Sequence, residues 1–298
     1  MVDPHATPTG ATIRTIFDCN HTEDPTRARA VRHEGDPACG DVAADEAYDG
    51  LGATHKLWWD VYERDSIDDQ GMALKGYVHY GDGYDNAFWD GQQMVFGDGD
   101  GELFNRFTIA VDIIGHELTH GVTEDEAGLV YFRQPGALNE SISDVFGSLV
   151  KQYQLGQKVE DADWLIGAGL IADAPDQALR SLKAPGTAYD HPKLGKDSQP
   201  STMSDWVETT RDNGGVHTNS GIPNHAFYLA ASRIGGYAWE AAGRIWYEAL
   251  RDPRLRPTAM FRTFARGTLR AALRLGYTAT SDEYKAVRQA WTDVEVKV

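Results

Sequence analysis

Two kinds of patterning divide the chain. Up to about Gly101, apolar positions come in short bursts separated by Gly, Asp and aromatic residues. Residues 12–17 and 77–80 have the β-branched and aromatic character of strands. Residues 55–64 place Leu57, Trp58 and Val61 on one face of a helix. Gly81-Asp82-Gly83 and Gly97-Asp98-Gly99-Asp100-Gly101 read as turns. After Ile109 the spacing changes: Ile109, Val111, Ile113, Ile114, Leu118 and Val122 recur at helical intervals. Further helices are predicted over 139–153, 223–234, 237–251, 258–275 and 281–294, with breaks at Gly235-Gly236, Pro253 and Gly276. The expected fold class is α+β in two domains. A β-rich N-terminal domain (1–108) is joined by a central helix (109–126) to an α-helical C-terminal domain (127–298). The cleft between them is the natural place for a substrate.

The central helix carries the chemistry. It reads His116-Glu117-Leu118-Thr119-His120. Residues four apart share one helical face, so both imidazoles can reach one zinc ion, while Glu117 points beside the metal rather than onto it. Zinc needs a third protein ligand and an open position. Glu140, at the start of the next predicted helix, is the candidate, and Asp144 lies on its face four residues on. A metal-bound imidazole donates its other N–H to a carboxylate or carbonyl, which suits Asp144 for one histidine and Asn139 for the other. A lone H-E-x-x-H also arises on a helix with two surface histidines. Here the flanks are apolar, so the helix is buried and its histidines need partners.

Charge and cysteines narrow the partners. The 298 residues carry a formal net charge of −17, which disfavours nucleic acid and anionic membranes. No run of about 18 apolar residues exists, so membrane insertion is not expected. Two cysteines, Cys19 and Cys39, are too few for a four-cysteine zinc site. They form either a disulfide, contributing about 3 kcal/mol in the chain-entropy model, or two free thiols. Residues 1–10 lack the basic start and apolar stretch of a secretory signal.

Taken together, these motifs resemble the thermolysin family of zinc metallopeptidases. Beside the zinc motif stand Asn86-Ala87-Phe88-Trp89, the glycine-aspartate run 97–101, Gly136 to Asp144, and Asp212-Asn213-Gly214-Gly215-Val216-His217 with Thr218-Asn219-Ser220-Gly221. The resemblance runs from about Ala43 to the C-terminus. It implies a zinc endopeptidase acting on peptides or proteins, with zinc on His116, His120 and Glu140 and with Glu117 as general base. Tyr131 and His217 would stabilise the oxyanion, and Asp212 would orient His217. Asn86 and the backbone of Ala87 would hold the substrate strand, and Arg180 would bind a backbone carbonyl. Phe104, Ile113 and Leu179 would line a primed-side pocket for a bulky apolar residue. The family is mostly secreted, so secretion is expected, with cytoplasmic retention as the alternative, and a monomer is expected.

One departure stands out. The resemblance implies two adjacent calcium ions behind the active site. Asp112 and Asp163 match two of their ligand positions, but Lys151 stands where Glu is expected, and Leu165 and Ala168 occupy two more. Calcium takes six to eight oxygens, which this remnant does not supply. The Lys151 ammonium is expected to bridge Asp112 and Asp163 instead. Calcium near residues 97–101, or simple turn geometry for those aspartates, are both compatible with the sequence. Rival readings are an inert zinc-binding or protein-interaction module, which would not need Glu117, and a zinc aminopeptidase, which would need carboxylates for a substrate α-amine.

Overall fold

A computed structural model describes residues 10–298; residues 1–9, most of the segment read for a secretory signal, lie outside the described residues. The first strand, β1 (Arg14–Asp18), buries Ile16 completely. It pairs antiparallel with β2 (Arg29–His33). A long helix, α1 (Val42–Tyr62), then crosses over to β3 (Leu74–Val78), parallel to β1. Such a crossover is what a parallel pair requires. β4 (Ala87–Trp89) and β5 (Met94–Phe96) complete a sheet of order β2-β1-β3-β5-β4, with β4 at the edge.

α1 is the main correction to the sequence reading, which placed helix only over 55–64. The helix begins thirteen residues earlier, at Val42, capped by Asp41, whose carboxylate accepts Ala44 N–H at 3.0 Å. Its first half is hard to read because Gly50 and Gly52 look like breakers. Gly50 is instead a contact point: a Cβ there would lie 2.2 Å from Ile114 Cδ1 of the next helix.

That helix, α2 (Val111–Glu126), is the expected central one. It lies against α3 (Arg133–Leu155), which begins six residues before the predicted start. Glu140 therefore sits inside α3 rather than at its beginning. Pro135 falls in the first helical turn, where its missing N–H costs no hydrogen bond. The two helices meet at Gly115 and Gly147. A Cβ on Gly147 would come within 2.3 Å of Asp112 O, and one on Gly115 within 3.0 Å of Gly147 Cα. Only glycines allow this approach, which brings the His116 face of α2 onto the Glu140 face of α3.

After α3 come two short antiparallel pairs, β6 (Leu165–Ile166) with β7 (Arg180–Ser181) and β8 (Asp190–His191) with β9 (Gly195–Lys196). The rest is helical: α4 (Asp212–Asn219), α5 (Gly221–Ile234), α6 (Ala241–Leu250), α7 (Phe261–Arg274) and α8 (Asp282–Asp293). The predicted spans 237–251, 258–275 and 281–294 overrun α6, α7 and α8, the predicted 223–234 starts two residues inside α5, and α4 has no counterpart in the sequence reading. Trp246 of α6 and Trp291 of α8 stack with centroids 5.8 Å apart in the core. Among the described residues no helix is long and apolar enough to cross a membrane. Cys19 is buried, Cys39 is exposed, and both are free thiols.

Lys151 closes the back of the helix pair. Its Nζ donates to Asp112 Oδ2 at 2.8 Å and to Leu165 O at 2.7 Å, and lies 2.9 Å from Asp163 Oδ1. The ammonium thus bridges the two aspartates as expected. In the 97–101 loop, Asp100 Oδ1 accepts the N–H groups of Glu102 and Leu103 at 2.8 and 2.6 Å, which is turn geometry.

Candidate metal centre and active site

Both imidazoles of α2 are oriented from behind. His116 Nδ1 lies 2.8 Å from Asp144 Oδ1, and His120 Nδ1 lies 2.8 Å from Asn139 Oδ1. The Asn139 amide nitrogen donates to Leu129 O at 3.4 Å, so its oxygen faces the ring. Carboxylate and amide oxygens only accept, so each ring carries a proton on Nδ1. The two Nε2 atoms then face each other across 3.1 Å. Glu140 adds two more acceptors, 3.4 Å from His116 Nε2 and 3.5 Å from His120 Nε2. It is 1% exposed, and its Oε2 has no hydrogen-bond partner among the described residues.

Two imidazole Nε2 atoms and a buried carboxylate held this close together call for a positive charge among them. Two imidazole nitrogens and a carboxylate, with ligand atoms all within 4.8 Å of one another, match the donor set of a three-ligand zinc site with an open fourth position. The residues fit zinc. The electrostatics agree. Burial would raise the Glu140 carboxyl, but His120, His116 and His217 outweigh it and hold it well below the ordinary range. Burial would lower His116, but Asp144 and Glu140 raise it to about 10, so these carboxylates hold positive charge at the ring.

Asp144 is the hub behind the centre. Besides His116, it receives Arg180 Nε at 2.8 Å, Arg180 Nη2 at 2.8 Å and Asn224 Nδ2 at 2.8 Å. Burial would raise its carboxyl, but the charge of Arg180 and the bond to His116 depress it, so it stays ionised. Arg180 was expected to face a substrate carbonyl. Most of its fork is instead spent on Asp144, a tie that no local pattern announces because the partners are 36 residues apart.

Glu117 points to the open side. Its Oε2 accepts Trp89 N–H at 3.3 Å, from the last residue of edge strand β4. A cavity of about 660 Å³ opens here, walled by Trp89, Glu117, His120, Glu124, Leu129 and Tyr131 among others. Trp89, Glu124 and Leu129 had no assigned role in the sequence reading. Glu124 is four residues beyond His120, so helical spacing alone could have found it. Asn86 is exposed and precedes β4, whose first residue, Ala87, is buried. Ile113 is buried and Phe104 and Leu179 are half-buried; none of the three belongs to the walls of this cavity.

Across the metal centre, Tyr131 Oη donates a short hydrogen bond to Glu140 and lies 3.2 Å from His217 Nε2. Burial and the Glu140 charge raise the Tyr131 pKa, so the phenol stays a donor. His217 Nδ1 lies 2.6 Å from Asp212 Oδ1, and its backbone N–H donates to Asp212 Oδ2 at 2.9 Å. Four successive residues, Asp212, Asn213, Gly214 and Gly215, have φ of 51°, 46°, 81° and 80°. Asn and Gly tolerate this left-handed region better than other residues. The turn they make bends the chain so that His217 faces Tyr131.

Comparison with known proteins places this geometry. The family model for the thermolysin metallopeptidase catalytic domain matches residues 8–124, and that for its alpha-helical domain matches residues 127–296. An extracellular metalloprotease of Pectobacterium carotovorum subsp. carotovorum is 56% identical over 299 residues, covering 99% of this chain and 85% of that protein. Thermolysin of Alicyclobacillus acidocaldarius subsp. acidocaldarius is 40% identical over 264 residues, 86% of this chain and 46% of that protein. The solved structure of the precursor of protealysin, a metalloproteinase from Serratia proteamaculans, superposes with a TM-score of 0.94 at 56% identity, covering 99% of this chain and 91% of that one. The chain belongs to the thermolysin family of metallopeptidases and is a zinc metalloendopeptidase.

Proposed function

We propose that this chain cuts internal peptide bonds at a zinc ion held by His116, His120 and Glu140, with Glu117 as general base, and that it prefers a bulky apolar residue just after the cleaved bond. The supporting observation is the convergence of His116 Nε2, His120 Nε2 and the Glu140 carboxylate, whose Oε2 has no partner among the described residues, with Glu117 one residue along on the open side. Zinc bound there supplies Lewis-acid polarisation of the peptide carbonyl and acidifies the attacking water. Glu117 takes the water's proton and passes it to the leaving amine. Tyr131 and His217 donate to the oxyanion, and Asp212 orients the His217 ring through Nδ1. Asp144 and Asn139 hold the two ligand imidazoles through Nδ1. The free edge of β4, with Asn86 and Ala87, takes the substrate as an added strand. Arg180 Nη1, unused in the Asp144 pair, is left for a substrate carbonyl at the rim of a pocket formed by Phe104, Ile113 and Leu179.

The direct test is an end-blocked, quenched peptide with one internal Leu. Cleavage on the amino side of Leu, abolished by a zinc chelator and restored by zinc, is the expected result. Cleavage only when the amino end is free would support the aminopeptidase reading instead. Tyr131→Phe removes one oxyanion donor, so kcat should fall about 10²–10³-fold with KM little changed. A fall of less than threefold would remove Tyr131 from the mechanism. Leu179→Ala should lower kcat/KM for the Leu peptide at least about tenfold relative to an Ala peptide. Equal losses on both peptides would move the pocket elsewhere.

Secretion is proposed for this chain because relatives are named extracellular proteases, and the Lys151 ammonium is proposed to occupy the place of the paired calcium ions. The domains are proposed to run 1–108 and 127–298, with 109–126 as the central helix, in a monomer.

A further inference from the structure

A second cluster of metal-ligating side chains lies away from the catalytic centre, where parallel strands β1 and β3 end side by side. His21 follows β1 and His79 follows β3, joined by a backbone hydrogen bond from His21 N–H to His79 O at 2.9 Å. Asp98, from the 97–101 loop, reaches both rings: its Oδ2 is 2.8 Å from His79 Nδ1 and 3.6 Å from His21 Nδ1. The three ligand atoms all lie within 4.8 Å of one another.

We infer that His21, His79 and Asp98 form a second site for a divalent transition metal of the zinc class, distinct from the catalytic one. Three observations carry this. First, zinc–ligand bonds of about 2.1 Å put the donor atoms of a tetrahedral site about 3.4 Å apart, and the measured 2.8 and 3.6 Å bracket that separation. Second, the other nitrogen of His79, Nε2, lies 2.8 Å from Asp41 Oδ2. The second oxygen of Asp41 caps α1 through Ala44 N–H, so this carboxylate is fixed in place. A carboxylate behind one ring nitrogen and a ligand position at the other is the arrangement of a metal-bound histidine. His116 with Asp144 shows the same arrangement at the catalytic centre. Third, the donor set is two imidazoles and one carboxylate. That suits zinc and its neighbours, whereas calcium takes six or more oxygens.

His21 is the adjustable member. Its side chain is 59% exposed, against 19% for His79 and 27% for Asp98. Closing the site requires ordering that one ring, so binding is expected to be weaker than at the enclosed catalytic ligands. Exposure also leaves the remaining coordination positions to water. Metal here would tie the end of β1 to the 97–101 loop, and so fasten the N-terminal strand to the sheet.

The test counts zinc on the full chain by atomic emission after dialysis against buffered, micromolar free zinc. His21→Ala is the informative variant because His21 is the most exposed of the three side chains, and thermal unfolding of the variant without added zinc checks that the fold is kept. One zinc fewer per chain in His21→Ala than in wild type is the expected difference, whatever the occupancy of the catalytic site. Excess zinc should also raise the thermal midpoint of wild type and leave that of His21→Ala unchanged. The inference is overturned if both proteins hold the same number of zinc ions. In that case His79 is only an imidazolium bridging Asp41 and Asp98.

Discussion

Glu117→Gln should lose at least about a thousandfold in kcat on the blocked Leu peptide while retaining its catalytic zinc. The substitution is nearly isosteric. The Trp89 N–H now held by Glu117 Oε2 at 3.3 Å can be accepted by the amide oxygen of Gln, so the side chain keeps its direction. His116, His120 and Glu140 are untouched, as are the Asp144 and Asn139 bonds that hold the rings. The carboxylate alone is removed, and with it the group proposed to accept a proton from water beside the metal position and return it to the amine. Zinc content and peptide cleavage measured on the same preparation separate the two properties. Inactive protein with zinc bound is the expected pair of results. A variant with more than a tenth of wild-type activity would show that another group takes the proton. Inactive protein without zinc would mean that Glu117 holds the site together rather than acting in the reaction.

What the sequence made legible follows helical geometry. His116 with His120, and Glu140 with Asp144, are each four residues apart, so a helix puts each pair on one face wherever its ends lie. That is why the metal centre could be read although the start of α3 was misplaced by six residues. The joining of the two pairs was inferred from the ligand number zinc needs and from the family resemblance. Physically it depends on Gly115 and Gly147, which carry no chemical signature of their own. Contacts between distant segments were the least visible. Arg180 on Asp144, Trp89 on Glu117 and His21 beside Asp98 link residues far apart in the chain, and each partner alone looks like an ordinary surface residue. The first half of α1 was hidden for a related reason. Its glycines serve packing against α2, while a local reading counts them as breaks.

Lys151→Met should lower the unfolding free energy by about 3–5 kcal/mol, the cost of stranding a buried charge. The ammonium has three hydrogens and three acceptors close by: Asp112 Oδ2, Asp163 and Leu165 O. Asp112 is 2% exposed, so it cannot turn to water when its partner is lost. It keeps only the Gly167 N–H, 3.1 Å from its Oδ1, and a place in the first turn of α2, where the helix dipole favours an anion. Asp163 is 45% exposed and loses less. Met approximates the length of the lysine stem, so packing changes little and the charge is the main thing removed. The pH dependence identifies the cause. In wild type, burial lowers the Lys151 pKa but Asp112 and Asp163 outweigh it and raise it. The contribution of a group with a raised folded pKa is fully present at neutral pH and is lost only as pH climbs through that value. In the variant Asp112 is a buried charge without its cation, a penalty that is full at neutral pH and is relieved when acid neutralises the carboxylate. Denaturant unfolding of zinc-loaded wild type and variant should show the largest gap near pH 7 and a narrowing gap toward pH 4. A gap below about 1 kcal/mol at neutral pH, or one that does not narrow in acid, would mean that Lys151 is a peripheral ion pair rather than the cation that holds the back of the two helices together.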